Sequence, residues 1–318
     1  MIGSRLRLSW LSGFLALALF CTPLALTTTR AHDDVAPATP PVDAACGQGD
    51  PTTWSAQMNA YANAGTYPAV QTDANGIPSS VTVTIPPIDF TGDGTSATLP
   101  IGPCQTIYRF AYSTIVTTSG EPGPFLYVEV DWNTEGLSRG PNGSFISPHF
   151  DFHYYMLPRE VVESELTCVS TNGRTCDPFA TDYTQTQLFQ ELPDATFVPP
   201  SYRPDIDSAI PTMGLHLLDM NIVYSVENVN HYPTLIYGTF AGKVMFAESS
   251  VTLYTLQDAI AAPDHRITFP YLQPTSFVNP IAWPTSFFIE YVPETGEFIA
   301  GFDSFTIGTD APVATPAS

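Results

Sequence analysis

Short segments of alternating apolar and polar residues, rich in β-branched and aromatic types, recur along this chain and constrain its fold most strongly. Turn-forming sequences such as GEPGP, GPNG and PETG separate them. The chain also has 31 prolines, which oppose long helices because proline lacks the amide hydrogen that a helix needs. Strands are predicted at residues 81–85, 106–118, 125–132, 150–156, 235–240, 243–254, 286–292 and 297–305.

This pattern predicts a mainly β fold, namely a single antiparallel β-barrel or sandwich over residues 46–308 with one or two short helices. The helices are expected at residues 50–65 and near 158–166, where Pro158 suits the first helical position. PETG is predicted to turn a hairpin within residues 284–305. Ala241-Gly242 is predicted to turn a second hairpin.

Residues 1–31 have the features of a secretory signal peptide. Arg5 and Arg7 precede an apolar run, and Thr29-Arg30-Ala31 fits a small-x-small cleavage site, so we place the cut after Ala31. An uncleaved membrane anchor is the alternative, but the run is shorter than the ~20 residues that a span needs. We therefore expect a secreted or extracytoplasmic protein with no membrane insertion after cleavage. Residues 32–45 and 309–318 are predicted to be a disordered linker and a disordered tail.

Four cysteines follow this segment, and an even number in an oxidising compartment suggests two disulfides. Cys168 and Cys176 flank the turn-like sequence STNGRT, so we pair them, which leaves Cys46 with Cys104. Four cysteines allow three pairings, and this one is a hypothesis. A cysteine-rich metal site is disfavoured because the chain has no CxxC pair.

The chain is strongly acidic, with a net charge of −21. Such a surface repels nucleic acid and anionic lipid, so no nucleic-acid partner is expected. It suits solubility or the binding of cations.

The segment PHFDFHYYM, at 148–156, contains two of the six histidines with an aspartate between them. On a strand, His149, Asp151 and His153 share one face, and apolar rings occupy the other. Residues i and i+4 lie ~13 Å apart on a flat strand, so both histidines can share one ion only if a bulge draws them together. Otherwise one histidine binds the metal and its neighbours support it.

Two other segments offer further donors. PTMGLHLLD, at 211–219, contains His216 and Asp219, which lie on opposite faces if the segment is extended; Asp219 is then a structural or supporting carboxylate. YGTFAGKVMFAES, at 237–249, contains Glu248, and an unshifted hairpin places Tyr237 diagonally beside it on the same face. A solvated, outward-facing Glu248 is the alternative.

These residues predict a metal site with four ligand candidates, His149, His153, His216 and Glu248, and with Asp151, Tyr237 and Asp219 in support. Mixed imidazole and carboxylate donors favour a divalent transition metal: Zn, Fe, Mn or Cu. A metal with an open position could activate water or polarise a substrate, so an enzyme of unknown substrate is one hypothesis.

The other hypothesis is a non-enzymatic envelope protein, with a hydrogen-bonded polar interior or a pocket for a small ligand. In that case the apolar face of Phe150, Phe152 and Tyr154 must be covered by a second sheet or by another subunit. Homo-oligomerisation is therefore predicted.

The segments VDWNTEG, SPHFDFHYYM, PTMGLHLLD and LIYGTFAGKVMFAES together resemble an exported bacterial family of unknown function, typified by a thermophile protein under sigma-E/anti-sigma-E control. The resemblance covers about residues 120–300, and PHFDFH and MGxH are its most specific parts. The chain departs from the family pattern at Leu137, Leu217 and Ser249. The resemblance implies that the histidines and Glu248 occur together, but it supplies no established activity.

Overall fold

The computed structural model describes residues 68–74, 77–90, 97–98, 107–109, 113–114, 124–133, 141–168, 183–277 and 281–308. The predicted signal peptide, linker and tail, the helix at 50–65, and Cys46, Cys104 and Cys176 lie outside these ranges. Cys168 is disulfide-bonded. The predicted pairing of the cysteines stays a prediction.

The described residues contain strands that we number in chain order. They are β1 (Ala69–Thr72), β2 (Pro78–Ile85), β3 (Asp89–Phe90), β4 (Ala97–Thr98), β5 (Ile107–Arg109), β6 (Ser113–Thr114), β7 (Tyr127–Asn133), β8 (His149–Tyr155), β9 (Tyr202–Ile210), β10 (Gly214–Asp219), β11 (Leu235–Phe240), β12 (Lys243–Thr252), β13 (Arg266–Pro270), β14 (Ile281–Val292) and β15 (Glu297–Gly308).

These strands form two main antiparallel sheets, so the predicted mainly β fold is confirmed. The larger sheet has the order β5-β7-β8-β12-β11-β10-β9, with β6 also paired to β7. The smaller sheet has the order β1-β2-β15-β14-β13, and β3 pairs with β4 separately. Of the two architectures that the sequence allowed, the structure is sandwich-like and not a closed barrel.

The core between the sheets contains the apolar face of β8. The Tyr154 ring lies 4.6 Å from that of Phe302, and the Phe152 ring lies 6.0 Å from that of Phe287. Phe302 and Phe287 belong to β15 and β14, so a second sheet of the same chain covers these rings. Homo-oligomerisation is not needed to bury this face, and it stays a prediction.

The described helices are short: α1 (Arg159–Glu165), α2 (Tyr183–Gln190), α3 (Val226–His231) and α4 (Leu253–Ala261). Helix α1 matches the prediction at 158–166, except that Pro158 precedes the first turn as the N-cap residue. The other three were not predicted. The strand predicted at 243–254 ends two residues earlier, and helix α4 begins at Leu253. Thr252 caps this helix by accepting a hydrogen bond from the Thr255 amide at 3.2 Å.

Both predicted hairpins are present. In the second one, Ala241 (φ 50°) and Gly242 (φ 70°) form the turn, and Phe240 pairs with Lys243 as expected. A bulge between Gly238 and Thr239 then shifts the register by one residue, so Ile236 lies opposite Glu248 where Leu235 was predicted. This shift decides which face each β11 side chain occupies.

Candidate metal centre

A polar face is buried on the side of the larger sheet that points away from the sandwich core. The registers of β7, β8 and β12 align its residues in three cross-strand rows, and each residue is at most 5% exposed. We call this set the polar face: Glu129, His153 and Glu248; Asp131, Asp151 and Ser250; Asn133, His149 and Thr252.

Glu248 lies between two imidazoles at one end of this face. Its Oε2 atom is 3.3 Å from Nε2 of His153 and 3.5 Å from Nε2 of His216. All three side chains are buried. The structure thus brings together one ligand candidate from β8, one from β10 and one from β12, and we call these residues the His153–His216–Glu248 trio.

Gly238 of β11 lies between His216 and Phe246 and has no side chain. Gly238 pairs with His216 on one side and with Phe246 on the other. A Cβ atom at position 238 would lie 1.9 Å from Cε1 of Phe246. Glycine therefore leaves the space that the Phe246 ring occupies beside His216.

Aromatic rings form one wall of the trio. Phe246 packs edge-on against both imidazoles, with centroids 5.2 Å from His153 and 5.6 Å from His216. Tyr155 contacts Phe246 at 5.2 Å and stacks on Tyr127 at 4.5 Å. These contacts restrict the rotamers of both histidines and so position their nitrogens.

In the trio, neighbouring opposite charges shift the pKa values of His153 and Glu248 more strongly than burial does. Burial alone would lower the pKa of His153, but Glu248 and Asp131 raise it to about 9. Burial would raise the pKa of Glu248, but His153 and His216 hold it well below its usual range. Glu248 is therefore a carboxylate at neutral pH.

Two atoms of the trio make no hydrogen bond although they are buried. They are Oε2 of Glu248, which faces both imidazoles, and Nδ1 of His153, which lies 3.6 Å from Asp131. Buried polar atoms normally have partners, so this end of the polar face requires a physical explanation.

His149 lies apart from the trio, at the other end of β8. Its Nδ1 atom donates to the Ser147 carbonyl at 2.6 Å, and its Nε2 atom lies 3.3 Å from Oδ2 of Asp151. Asn133 donates to the same Asp151 oxygen at 2.7 Å, and Ser250 donates to the other. Since β8 pairs without a bulge, its two histidines stay apart, which agrees with the alternative in which only one of them binds the ion. A ligand role for His149 stays a prediction.

Asp151 connects the two ends of the polar face, and its predicted role in supporting a metal ligand stays a prediction. Ser250, which donates to it, also lies 3.4 Å from Oε1 of Glu248. Burial would lower the pKa of His149, but Asp151 raises it.

The structure corrects the placement of Tyr237. The bulge turns Tyr237 to the opposite face of the sheet, where it contacts the rings of Tyr202 and Trp283 at 5.0 and 6.0 Å. Asp219 ends β10, and its Oδ1 atom accepts a hydrogen bond from the Asn221 amide at 2.9 Å. Tyr237 therefore does not face the trio, whereas Asp219 has the structural role that was one of its two predicted alternatives.

Sequence reasoning missed the contribution of β7. Glu129, Asp131 and Asn133 alternate with apolar residues in YVEVDWN, just as His149, Asp151 and His153 do in β8. This shared alternation is the signal that could have identified β7 as a second strand with one polar face. The register also places Arg109 of β5 opposite Asp131.

No family model, curated protein or solved structure matches this chain. The resemblance to an exported family therefore stays a prediction. Across the described residues, no group of three or more His, Cys, Asp or Glu side chains is already placed to hold a metal ion. In that part of the chain, none of the helices has the length and hydrophobicity to cross a membrane.

Proposed function

We propose that this protein is an exported metal-binding protein that holds one divalent transition metal ion with His153, His216 and Glu248. The observation that supports this is Glu248 Oε2, a buried carboxylate oxygen that faces Nε2 of His153 at 3.3 Å and Nε2 of His216 at 3.5 Å. A cation between these atoms would compensate the buried charge of that oxygen.

The two distances are also close to those between ligands that share one ion. Two ligands that are each ~2.1 Å from a tetrahedral ion lie ~3.4 Å from one another. The two nitrogen–oxygen distances, 3.3 and 3.5 Å, agree with this spacing. Normal hydrogen bonds from an imidazole to a carboxylate are about 2.7–2.9 Å.

The surroundings of the trio also fit a bound ion. Asp131, 3.6 Å from Nδ1 of His153, could accept the proton of that nitrogen and keep Nε2 available for the metal. With three protein ligands, such an ion would keep a fourth position for water, which it would make more acidic. Zn, Fe, Mn and Cu all suit this donor set.

The second candidate is a polar interior without metal, and the raised pKa of His153 favours it. A protonated His153 would pair with Glu248 on one side and Asp131 on the other. The polar face would then stabilise a particular strand register and would have no ligand.

Elemental analysis of tag-free protein decides between the candidates. We expect one metal ion per chain in the wild type and in His231→Ala, whose side chain is half exposed and pairs with Asp258. His153→Gln, His216→Gln and Glu248→Gln should each lose the ion. His149→Gln should keep it, since His149 makes its contacts at the other end of the polar face.

Folding must be separated from binding, because buried substitutions can destabilise the chain. Circular dichroism identifies variants that still fold, and Zn²⁺ titration of chelator-treated protein measures the increase in melting temperature. Folded His216→Gln with a wild-type increase would contradict the proposal. Wild type that neither contains metal nor responds to Zn²⁺, Mn²⁺, Fe²⁺ or Cu²⁺ would favour the polar interior without metal.

A further inference from the structure

A cavity of about 360 Å³ lies at the end of the sandwich, where Asp219 ends β10. Its volume is within the usual range for small-molecule sites, roughly 300–1,000 Å³. Three tyrosines and one carboxylate dominate its lining: Tyr202, Tyr232, Tyr271 and Asp219, together with neutral residues such as Leu235 and Leu272.

Asp219 is the one charged side chain among these described lining residues, and it is only 8% exposed. The Asn221 amide fixes its Oδ1 atom at 2.9 Å. Burying a carboxylate in aromatic surroundings is unfavourable unless a positive group compensates it. The site is therefore complementary to a cation.

The three tyrosine rings are held by contacts to other residues of the protein. Tyr202 donates its hydroxyl hydrogen to the Leu235 carbonyl at 2.8 Å, and the Tyr271 hydroxyl pairs with Ser249. Tyr232 packs edge-on against Phe269 at 5.2 Å. The aromatic walls are consequently preorganised, which reduces the entropy lost when a ligand binds.

The mouth of the cavity is open to solvent. Tyr232 is 38% exposed and Leu272 is 45% exposed. A ligand could enter past these two side chains without disturbing the sandwich core.

We propose that this cavity binds a small organic ammonium ion, with Asp219 as its counter-charge and the tyrosines as its aromatic walls. An alkylated ammonium group suits this lining because it combines a positive charge with apolar methyl groups, and aromatic rings attract such cations. The strongly acidic chain, with a net charge of −21, would also raise the local concentration of cations. This site is separate from the His153–His216–Glu248 trio and does not depend on a metal.

The test compares choline with 3,3-dimethylbutan-1-ol, a neutral molecule of nearly the same shape. Titration of chelator-treated full-length protein, followed by NMR and calorimetry, should show saturable binding of choline. The neutral analogue should bind at least about tenfold more weakly, which corresponds to the usual strength of a desolvated cation–aromatic contact. Equal binding of both molecules, or no binding of choline at millimolar concentration, would overturn the proposal.

Variants locate the site. Asp219→Asn should weaken choline binding about tenfold or more, whereas Glu227→Gln, which removes an exposed carboxylate from α3, should leave it unchanged. Because Asp219 also orders a turn, Leu272→Arg provides an independent test at an exposed position. Leu272→Arg should abolish choline binding because it places a positive charge at the mouth of the cavity. Ile307→Arg is the control: Ile307 is similarly exposed but does not line the cavity, so choline binding should be unchanged. Wild-type affinity in folded Leu272→Arg would refute the assignment.

Discussion

Gly238→Ala tests whether the packing around the trio is as tight as the structure shows. The added Cβ atom would lie 1.9 Å from Cε1 of Phe246, whereas ordinary van der Waals contact begins near 3.4 Å. The ring must therefore move by about 1.5 Å, the difference between these distances. Phe246 is fully buried and is contacted by Tyr155, His153 and His216, so it has little room to move.

We expect Gly238→Ala to lower the free energy of unfolding by about 2–3 kcal/mol, the upper part of the range for overpacked cores. The melting temperature should fall by roughly 4–12 °C. Metal binding should weaken as well, because the displaced ring packs directly on both imidazoles. Urea denaturation followed by circular dichroism gives the free energy, and Zn²⁺ titration gives the affinity.

A double variant provides the control. Phe246→Leu removes the ring atoms that the new methyl group would meet, so Gly238→Ala should be much less damaging in that background. The two substitutions should therefore couple by about 1 kcal/mol or more. Additive effects, or a single variant within about 0.5 kcal/mol of wild type, would show that Phe246 does not fill this space.

Three further outcomes are expected. Tyr237→Phe should leave the metal content unchanged, since Tyr237 lies on the opposite face of the sheet; loss of the ion, measured by elemental analysis, would contradict that placement. Thr252→Ala should destabilise the fold by about 1–2 kcal/mol in urea denaturation, because Thr252 caps α4 and also donates to the Asn230 carbonyl. In chelator-treated protein, protonation of His153 stabilises the fold fully below pH 6.5, and this contribution is lost as the pH rises to about 9; a flat urea midpoint across that range would contradict it.

The sequence predicted the faces of β8 correctly because alternation is a local property. In PHFDFHYYM the period of two separates the polar residues from the rings without reference to any other strand. The same local pattern in β7 carries Glu129 and Asp131. Cross-strand neighbours cannot be read from one segment, however, so the contribution of β7 was found only in the structure.

Neither the bulge nor the short helices could be predicted from the sequence, because both depend on contacts with other parts of the chain. Ala241-Gly242 forms the same two-residue turn with or without the bulge at Gly238, yet the bulge decides whether Tyr237 faces the trio or the core. Isolated helices shorter than about 12 residues are marginal in water, so α2, α3 and α4 depend on tertiary packing. Helix α4 follows β12 directly, and its first residues, Leu253 and Tyr254, extend the apolar and aromatic pattern of that strand.

His216 distinguishes the two explanations of the buried charge. Without metal, a protonated His153 already has two carboxylates beside it, Glu248 and Asp131, so the stabilising pair is complete without a second imidazole. With metal, both imidazoles and the carboxylate oxygen between them are needed. His216→Gln should therefore remove metal binding and cost less unfolding free energy in chelator-treated protein than His153→Gln does. If both substitutions destabilise the metal-free protein equally and the wild type takes up no metal, the polar face is a purely structural feature of the fold.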